Sequence, residues 1–174
     1  MSRDTTFTPR SLTASEYVRQ LFEPRDNVAI LVRNRSTGHT VQRIAKAEAI
    51  ASLGFRTWLA NQNAGGSDVF VGMNPIKDRA YRRTKDSIKD IRHLYLDLDR
   101  NGDEALETIR NSVAVPAPNF VLDTSPGKHQ VVWKVRGFSQ DEAENLLRSL
   151  ANQLGGDQAA TDSTSVLRLP GFAN

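Results

Sequence analysis

The chain switches its hydrophobic period repeatedly between 3.6 and 2, and the switches mark its elements. Thr13 followed by Glu16 makes a capping box ahead of Tyr17, Val18, Leu21 and Phe22, which predicts a short helix stopping before Pro24. Residues 27–33 alternate and are rich in Val, Ile and Leu, as a strand is, and the polar segment 34–38 returns it as a hairpin through Ile44. The spacing of Ala47, Ile50, Ala51, Trp58 and Leu59 predicts a helix over 45–61, interrupted near Gly54. A turn at 64–67 then leads into a strand over 69–73.

The second half repeats the alternation. A strand ending in Asp97-Leu98-Asp99 is followed by a helix over 102–111 and a strand over 119–122. The turn 124–128 introduces a strand over 129–135 that places His129, Val131, Trp133 and Val135 on one face. Ser139 caps the next helix, with Glu142 at N3 and Leu146, Leu147 and Leu150 buried, and Gly155-Gly156 ends it. A strand over 166–169 runs into Pro170-Gly171. The plan is α+β, with mostly antiparallel strands and helices packed against them.

Composition narrows the chemistry. With 174 residues, 39% of them hydrophobic, the chain is one domain that needs neither disulfides nor a structural metal to fold. We expect a flexible segment over 1–12, a domain over 13–174 and, because no element closes the chain, one module of a longer protein. Cysteine is absent, which excludes thiol catalysis and thiolate zinc sites. Histidine occurs only at 39, 93 and 129, so carboxylates are the strongest ligands present and Mg²⁺ or Mn²⁺ the matching ions. No apolar leader and no run of roughly 18 apolar residues is seen, which predicts a cytoplasmic protein without a membrane partner. The net charge is only +3, but Lys77, Arg79, Arg82, Arg83, Lys85, Lys89 and Arg92 cluster against Asp78, Asp86 and Asp90. Such a stretch is either a solvated loop or a phosphate and nucleic-acid contact.

It leads directly to the most informative residues. In a strand, Asp97 and Asp99 point the same way, about 6 to 7 Å apart along the backbone, and two carboxylates that close repel unless a cation lies between them. Residues 97–103 also match the start of an EF-hand loop, but its twelfth position, which needs a bidentate Glu, is Thr108.

Three segments together carry a resemblance. The strand 94–99 with its Asp-x-Asp, the turn-strand Ser125-Pro126-Gly127-Lys128-His129-Gln130-Val131-Val132-Trp133, and the run from Thr161 through Arg168-Leu169-Pro170-Gly171 to Asn174 resemble the catalytic domain of RepB-like DNA primases. These belong to the archaeo-eukaryotic primase superfamily and are carried by plasmids and phages; the likeness covers about 28–174. It implies an RRM-like, mostly antiparallel sheet with an additional α/β unit. It further implies that Asp97 and Asp99 ligate two catalytic metal ions, Mg²⁺ or Mn²⁺, with Asp162 completing the cluster and Asp157 as the competing third ligand. His129 would then contact the nucleotide's phosphates, with Lys128 and Arg168 adding charge. Arg82, Arg83 and Lys85 would touch nucleic acid. The implied partners are a single-stranded DNA template, NTP or dNTP substrates, and a C-terminal helical domain or replicative helicase of the same system.

The chemistry suits those groups. A 3′-hydroxyl attacks an α-phosphate, pyrophosphate leaves, and two metals about 3.5 to 4 Å apart stabilise the charge at both ends. The alternative from another class is a non-catalytic single-stranded nucleic-acid-binding module of RRM type, stacking bases on Tyr95 and Trp133. A rolling-circle relaxase would need a paired-histidine site, and no His-x-His occurs.

Overall fold

The computed structural model describes residues 11–173, so all but the last two residues of the segment expected over 1–12 lie outside the described residues. Helix α1 (Ala14–Leu21) starts where predicted: Thr13 Oγ1 accepts from the Glu16 amide at 3.2 Å, and Glu16 accepts in return from the Thr13 amide at 2.9 Å. Strands β1 (Asn27–Asn34) and β2 (Thr40–Lys46) form the expected hairpin, its turn held by Asn34 Oδ1, which accepts from the amides of Ser36 and Thr37. The interrupted helix breaks earlier than Gly54. Helix α2 (Ala47–Ile50) ends and α3 (Leu53–Ala64) begins at Ser52, whose hydroxyl accepts from the Phe55 amide at 3.3 Å. A hydroxyl that satisfies an orphan amide restarts a helix, whereas Gly54 sits inside the first turn with open space around it.

After β3 (Ser67–Gly72) come β4 (His93–Leu98), α4 (Gly102–Asn111), β5 (Phe120–Ser125), β6 (Lys128–Lys134), α5 (Gln140–Leu154) and β7 (Val166–Arg168). Helix α5 carries the expected box between Ser139 and Glu142 and ends at Gly155 in the left-handed region, φ 74°. Two antiparallel sheets result, one ordered β2-β1-β3-β7 and one ordered β4-β6-β5, which agrees with the α+β reading. No helix among the described residues is long and apolar enough to cross a membrane.

Register decides which side chains meet. Leu94, Leu96 and Leu98 pair with Trp133, Val131 and His129, while Tyr95 and Asp97 pair with Val132 and Gln130. Paired residues share a face, so the second sheet turns His129 and Trp133 to one side and Asp97 to the other. The two sheets are joined by buried Asn74, whose side chain accepts from the amides of Arg92 and His93 and donates to Ser163 O at 3.0 Å. Tyr17, Ile30, Val71, Tyr95 and Leu167 are fully buried in one hydrophobic core.

His93 lies at this joint, 2.6 Å through Nδ1 from the carbonyl of Met73 and edge-on to Phe22. Burial, above all, pushes its pKa down to about 4. An unfolded His titrates near 6.5, so between pH 6.5 and 4 the unfolded chain takes up a proton that the fold refuses. Stability from this group is complete above pH 6.5 and is lost as pH falls toward 4, by up to about 3 kcal/mol. Denaturant unfolding of the native domain and of H93N, which keeps a donor for Met73, should show this contribution as the difference between their pH profiles.

Candidate active site

Strand β4 ends beside the start of β6 and the loop after α5. There it presents Asp97, half-buried, and just beyond the strand the exposed Asp99. Burial first, then repulsion from Asp99 and Asp157, pushes the Asp97 pKa up to about 6, against a hydrogen bond from Gln130 and the charge of Arg168. Asp157 reaches this point because its amide donates to the Asp97 carbonyl at 2.8 Å, which pins the loop after α5 to the end of β4. Asp99 faces Lys128 Nζ at 3.3 Å, from the start of β6. Asp97, Asp99, Asp157 and Lys128 are therefore brought together.

Gln130 connects them to the other sheet. Its Nε2 donates to Asp97 Oδ2 at 3.3 Å, and its Oε1 accepts from the Arg168 amide at 2.9 Å, so one buried side chain fixes a carboxylate and the last strand at once. The Arg168 guanidinium lies over Phe70 and makes a fork with Asp68, with contacts of 3.1 and 3.3 Å. Gln130 was not among the residues singled out in the sequence. The signal that could have found it is its parity with Lys128, which becomes legible only once Asp97 is known to pair with Gln130.

Of the other sequence candidates, Asp162, Lys85 and Arg83 form a second group, and His129 stands in a third place. Asp162 is committed to its own turn: Oδ1 accepts from the amide and hydroxyl of Thr164 at 2.7 and 2.6 Å, and Oδ2 meets Lys85 Nζ at 3.1 Å. Burial raises its pKa, but these bonds outweigh it and hold the carboxyl below the ordinary range. Its carbonyl accepts from the Tyr95 hydroxyl, two residues before Asp97 on the strand. Lys85 is shared between Asp162 and buried Glu144, at 2.7 Å from the latter, and Glu144 in turn accepts from the Ser163 amide. Half-buried Arg83 lies beside Asp162 and Tyr95, with its Nε lacking a partner among the described residues, and only Arg82 of the three basic candidates remains outside this network.

His129 is on the opposite face from Asp97. Its Nδ1 lies 2.7 Å from Asp123 and its Nε2 2.8 Å from Asp103, so it ties β6 to β5 and to the first turn of α4. The approach is tight: a Cβ on Gly102 would lie 2.5 Å from the Gly127 carbonyl and 3.0 Å from His129 Cδ2, which demands glycine there. His129 is thus built as a positioning residue for the turn that carries Lys128. H129A is expected to lower stability by about 1–3 kcal/mol, since two carboxylates lose their partner, while the apparent nucleotide affinity per folded molecule changes little. Thermal melts and nucleotide titration together check this; unaltered melting with weakened nucleotide use would return His129 to phosphate contact.

The competing readings can be weighed on the same geometry. Gly102 already opens α4, so positions 102–108 are helical and cannot wrap calcium as an EF-hand loop does. Tyr95 and Trp133 are buried and lie on opposite faces, Trp133 donating to Pro116 O at 2.8 Å, so neither is a platform for bases. Among the described residues no three His, Cys, Asp or Glu side chains have already converged on one metal position.

Residues 35–174 match the RepB DNA-primase N-terminal domain. The chain belongs to that family. The primase domain is 23% identical over 163 residues to a replication protein of Clostridium perfringens, covering 82% of this chain but only 38% of that protein. Crystallised primase RepB′ superposes with a TM-score of 0.66 at 25% identity, over 92% of this chain and 51% of that one. Its catalytic domain, solved in complex with initiator DNA, gives the same score at 24% identity, over 92% and 78%. The archaeo-eukaryotic primase domain of the cyanophage S-2L primase-polymerase shares the fold, with a TM-score of 0.62 at 13% identity over 88% and 77%. The RepB-like family and the primase fold named from the three sequence segments are those found.

Proposed function

We propose that this domain is the catalytic core of a DNA primase that joins nucleotides into a short primer on single-stranded DNA, for replication of a plasmid or related element. The observation that carries the reading is the meeting of Asp97, Asp99 and Asp157 at the end of β4, with Gln130 and Lys128 beside them. This donor set fits hard divalent cations: three carboxylates repel one another there, with one flexible ammonium opposite. Mg²⁺ keeps waters and takes substrate phosphates as ligands, so no closed protein cage is required. In this reading Asp97, Asp99 and Asp157 hold the ions, and Asp162 holds the loop. When bound, the ions lower the pKa of the attacking hydroxyl and offset charge on the triphosphate.

The protein's own groups do the rest. Gln130 holds Asp97 Oδ2 in one orientation, so the carboxylate needs no reorganisation when substrate arrives. Lys128, on an exposed stem, exchanges Asp99 for the incoming triphosphate, and Arg168 adds positive charge beside Asp97. RepB′ is known in complex with initiator DNA, which supports a DNA template here too. A following helical domain or a helicase is the partner this arrangement would serve.

The test is primer synthesis from labelled nucleoside triphosphates on unprimed single-stranded DNA with Mg²⁺ or Mn²⁺, comparing the domain with its Asp97→Ala variant. Product that vanishes in the variant supports the reading; product that persists removes it. Supplying ribonucleotides and deoxynucleotides in separate reactions identifies the substrate.

A further inference from the structure

A second concave surface lies at the other end of the three-stranded sheet. From Asp97, β4 runs back four residues to His93, about 13 Å at the usual rise. There two adjoining cavities, of about 590 and 430 Å³, share Glu23, Arg92, Val135 and Arg136 along their walls. The larger is lined by apolar Ile88, Ile91 and Phe138 and by Lys89, Arg92 and Arg136, with the carboxylates of Glu23 and Asp90 also on its walls, and the smaller adds Arg19 and Lys134. Arg92 is turned inward, forked onto buried Asp26 at 2.9 and 3.4 Å, and Lys89 leans on the same carboxylate at 3.7 Å. Arg136 and Arg19, from the end of β6 and from α1, are exposed and have no hydrogen-bond or ion-pair partner among the described residues. Two unpaired cations on either side of the apolar Phe138 wall form a seat for a polyanion that also carries flat apolar groups.

We propose that this groove binds single-stranded DNA beyond the catalytic site, with Arg136 and Arg19 on backbone phosphates and bases or sugars against Phe138. A free phosphate would leave Phe138 unused, and an acidic peptide would not supply evenly repeated charge with planar rings. The inference rests on the primase reading for its choice of polyanion. It makes the sheet a track, with chemistry at one end of β4 and a strand grip at the other.

The experiment is fluorescence anisotropy with labelled oligothymidylates of about 4 and about 16 nucleotides, the range of single-strand site sizes. It contains no nucleotide and no metal. In the R19E/R136E double variant, affinity for the long strand should fall about tenfold or more. Its log-affinity should lose about 0.7 of salt slope for each phosphate contact removed. Affinity for the short strand and the melting temperature should stay as in the native domain. Unchanged affinity and slope on the long strand, or an equal loss on both lengths, overturns the groove. Neither outcome bears on synthesis, which the Asp97→Ala assay judges separately.

Discussion

Replacing Asp97 with Asn should reduce primer synthesis by about a thousandfold or more while making the domain more stable. The two effects have one cause. Asp97 is more than half buried beside two other carboxylates, and its pKa of about 6 says that its charge is tolerated, not favoured, in the fold. A carboxyl raised in the folded state contributes full stability below its unfolded pKa near 3.9 and loses it as pH rises through 6, so at neutral pH the ionised group is a net cost. Discounted for its partial exposure, that cost is about 1–2 kcal/mol, or some 2–4 °C of melting temperature per kcal/mol in a domain of this size. The amide removes the repulsion, and Oδ1 of Asn can still accept from Gln130. Differential scanning calorimetry at pH 7 and pH 4 reads the sign: D97N should melt higher than native at pH 7 and level with it at pH 4. A variant that melts lower at pH 7 would mean that Asp97 is already compensated by groups other than those around it here.

This gain and the His93 loss run in opposite directions over nearly the same window. As pH falls from 6.5 to 4, neutral buried His93 withdraws stability while Asp97, taking up its proton, returns some. The native profile should therefore be flatter than either group alone would make it, and the single variants H93N and D97N should tilt it in opposite senses.

Local chemistry wrote the elements legibly and left their meeting unwritten. Capping boxes at Thr13 and Ser139 were readable because their bonds span three residues. Alternation in β4 correctly put Tyr95 and Asp97 on one face. The same alternation in the strand 129–135 could be read, but which of its faces joins Asp97 depends on the register of β6 against β4, a pairing of residues 33 apart. A shift of one residue exchanges His129 for Gln130. The basic stretch was visible as charge, yet its ties to Glu144 and Asp162 come from the other end of the chain. Ser52 was passed over for Gly54 because a glycine in a helical pattern draws attention, whereas a serine announces itself only through the amide it caps.

The choice between Asp157 and Asp162 has the same character, and separate variants decide it. Both acids precede Arg168-Leu169-Pro170-Gly171, and nothing in spacing ranks them. In the fold, Asp157 is exposed and among the described residues its Oδ1 accepts only the Ala159 amide, at 3.0 Å, so truncating it to Ala should cost little stability. Yet its place beside Asp97 predicts a fall in synthesis as deep as for D97N, about a thousandfold, with divalent-ion affinity reduced at least about tenfold. D162A should do the reverse. It strips two bonds from Thr164 and one partner from Lys85, for about 1–2 kcal/mol of stability after allowing for exposure, and frees the loop at 162–165. Synthesis per folded molecule should then remain within about tenfold of native, because Glu144 still holds Lys85 and the Ser163 amide. Mn²⁺ titration followed by water-proton relaxation separates the two without requiring turnover. Normal Mn²⁺ binding in D157A with loss in D162A would make Asp162 the third ligand, and would require the 162–165 turn to release Thr164 and swing its carboxylate toward Asp97 when the ions bind.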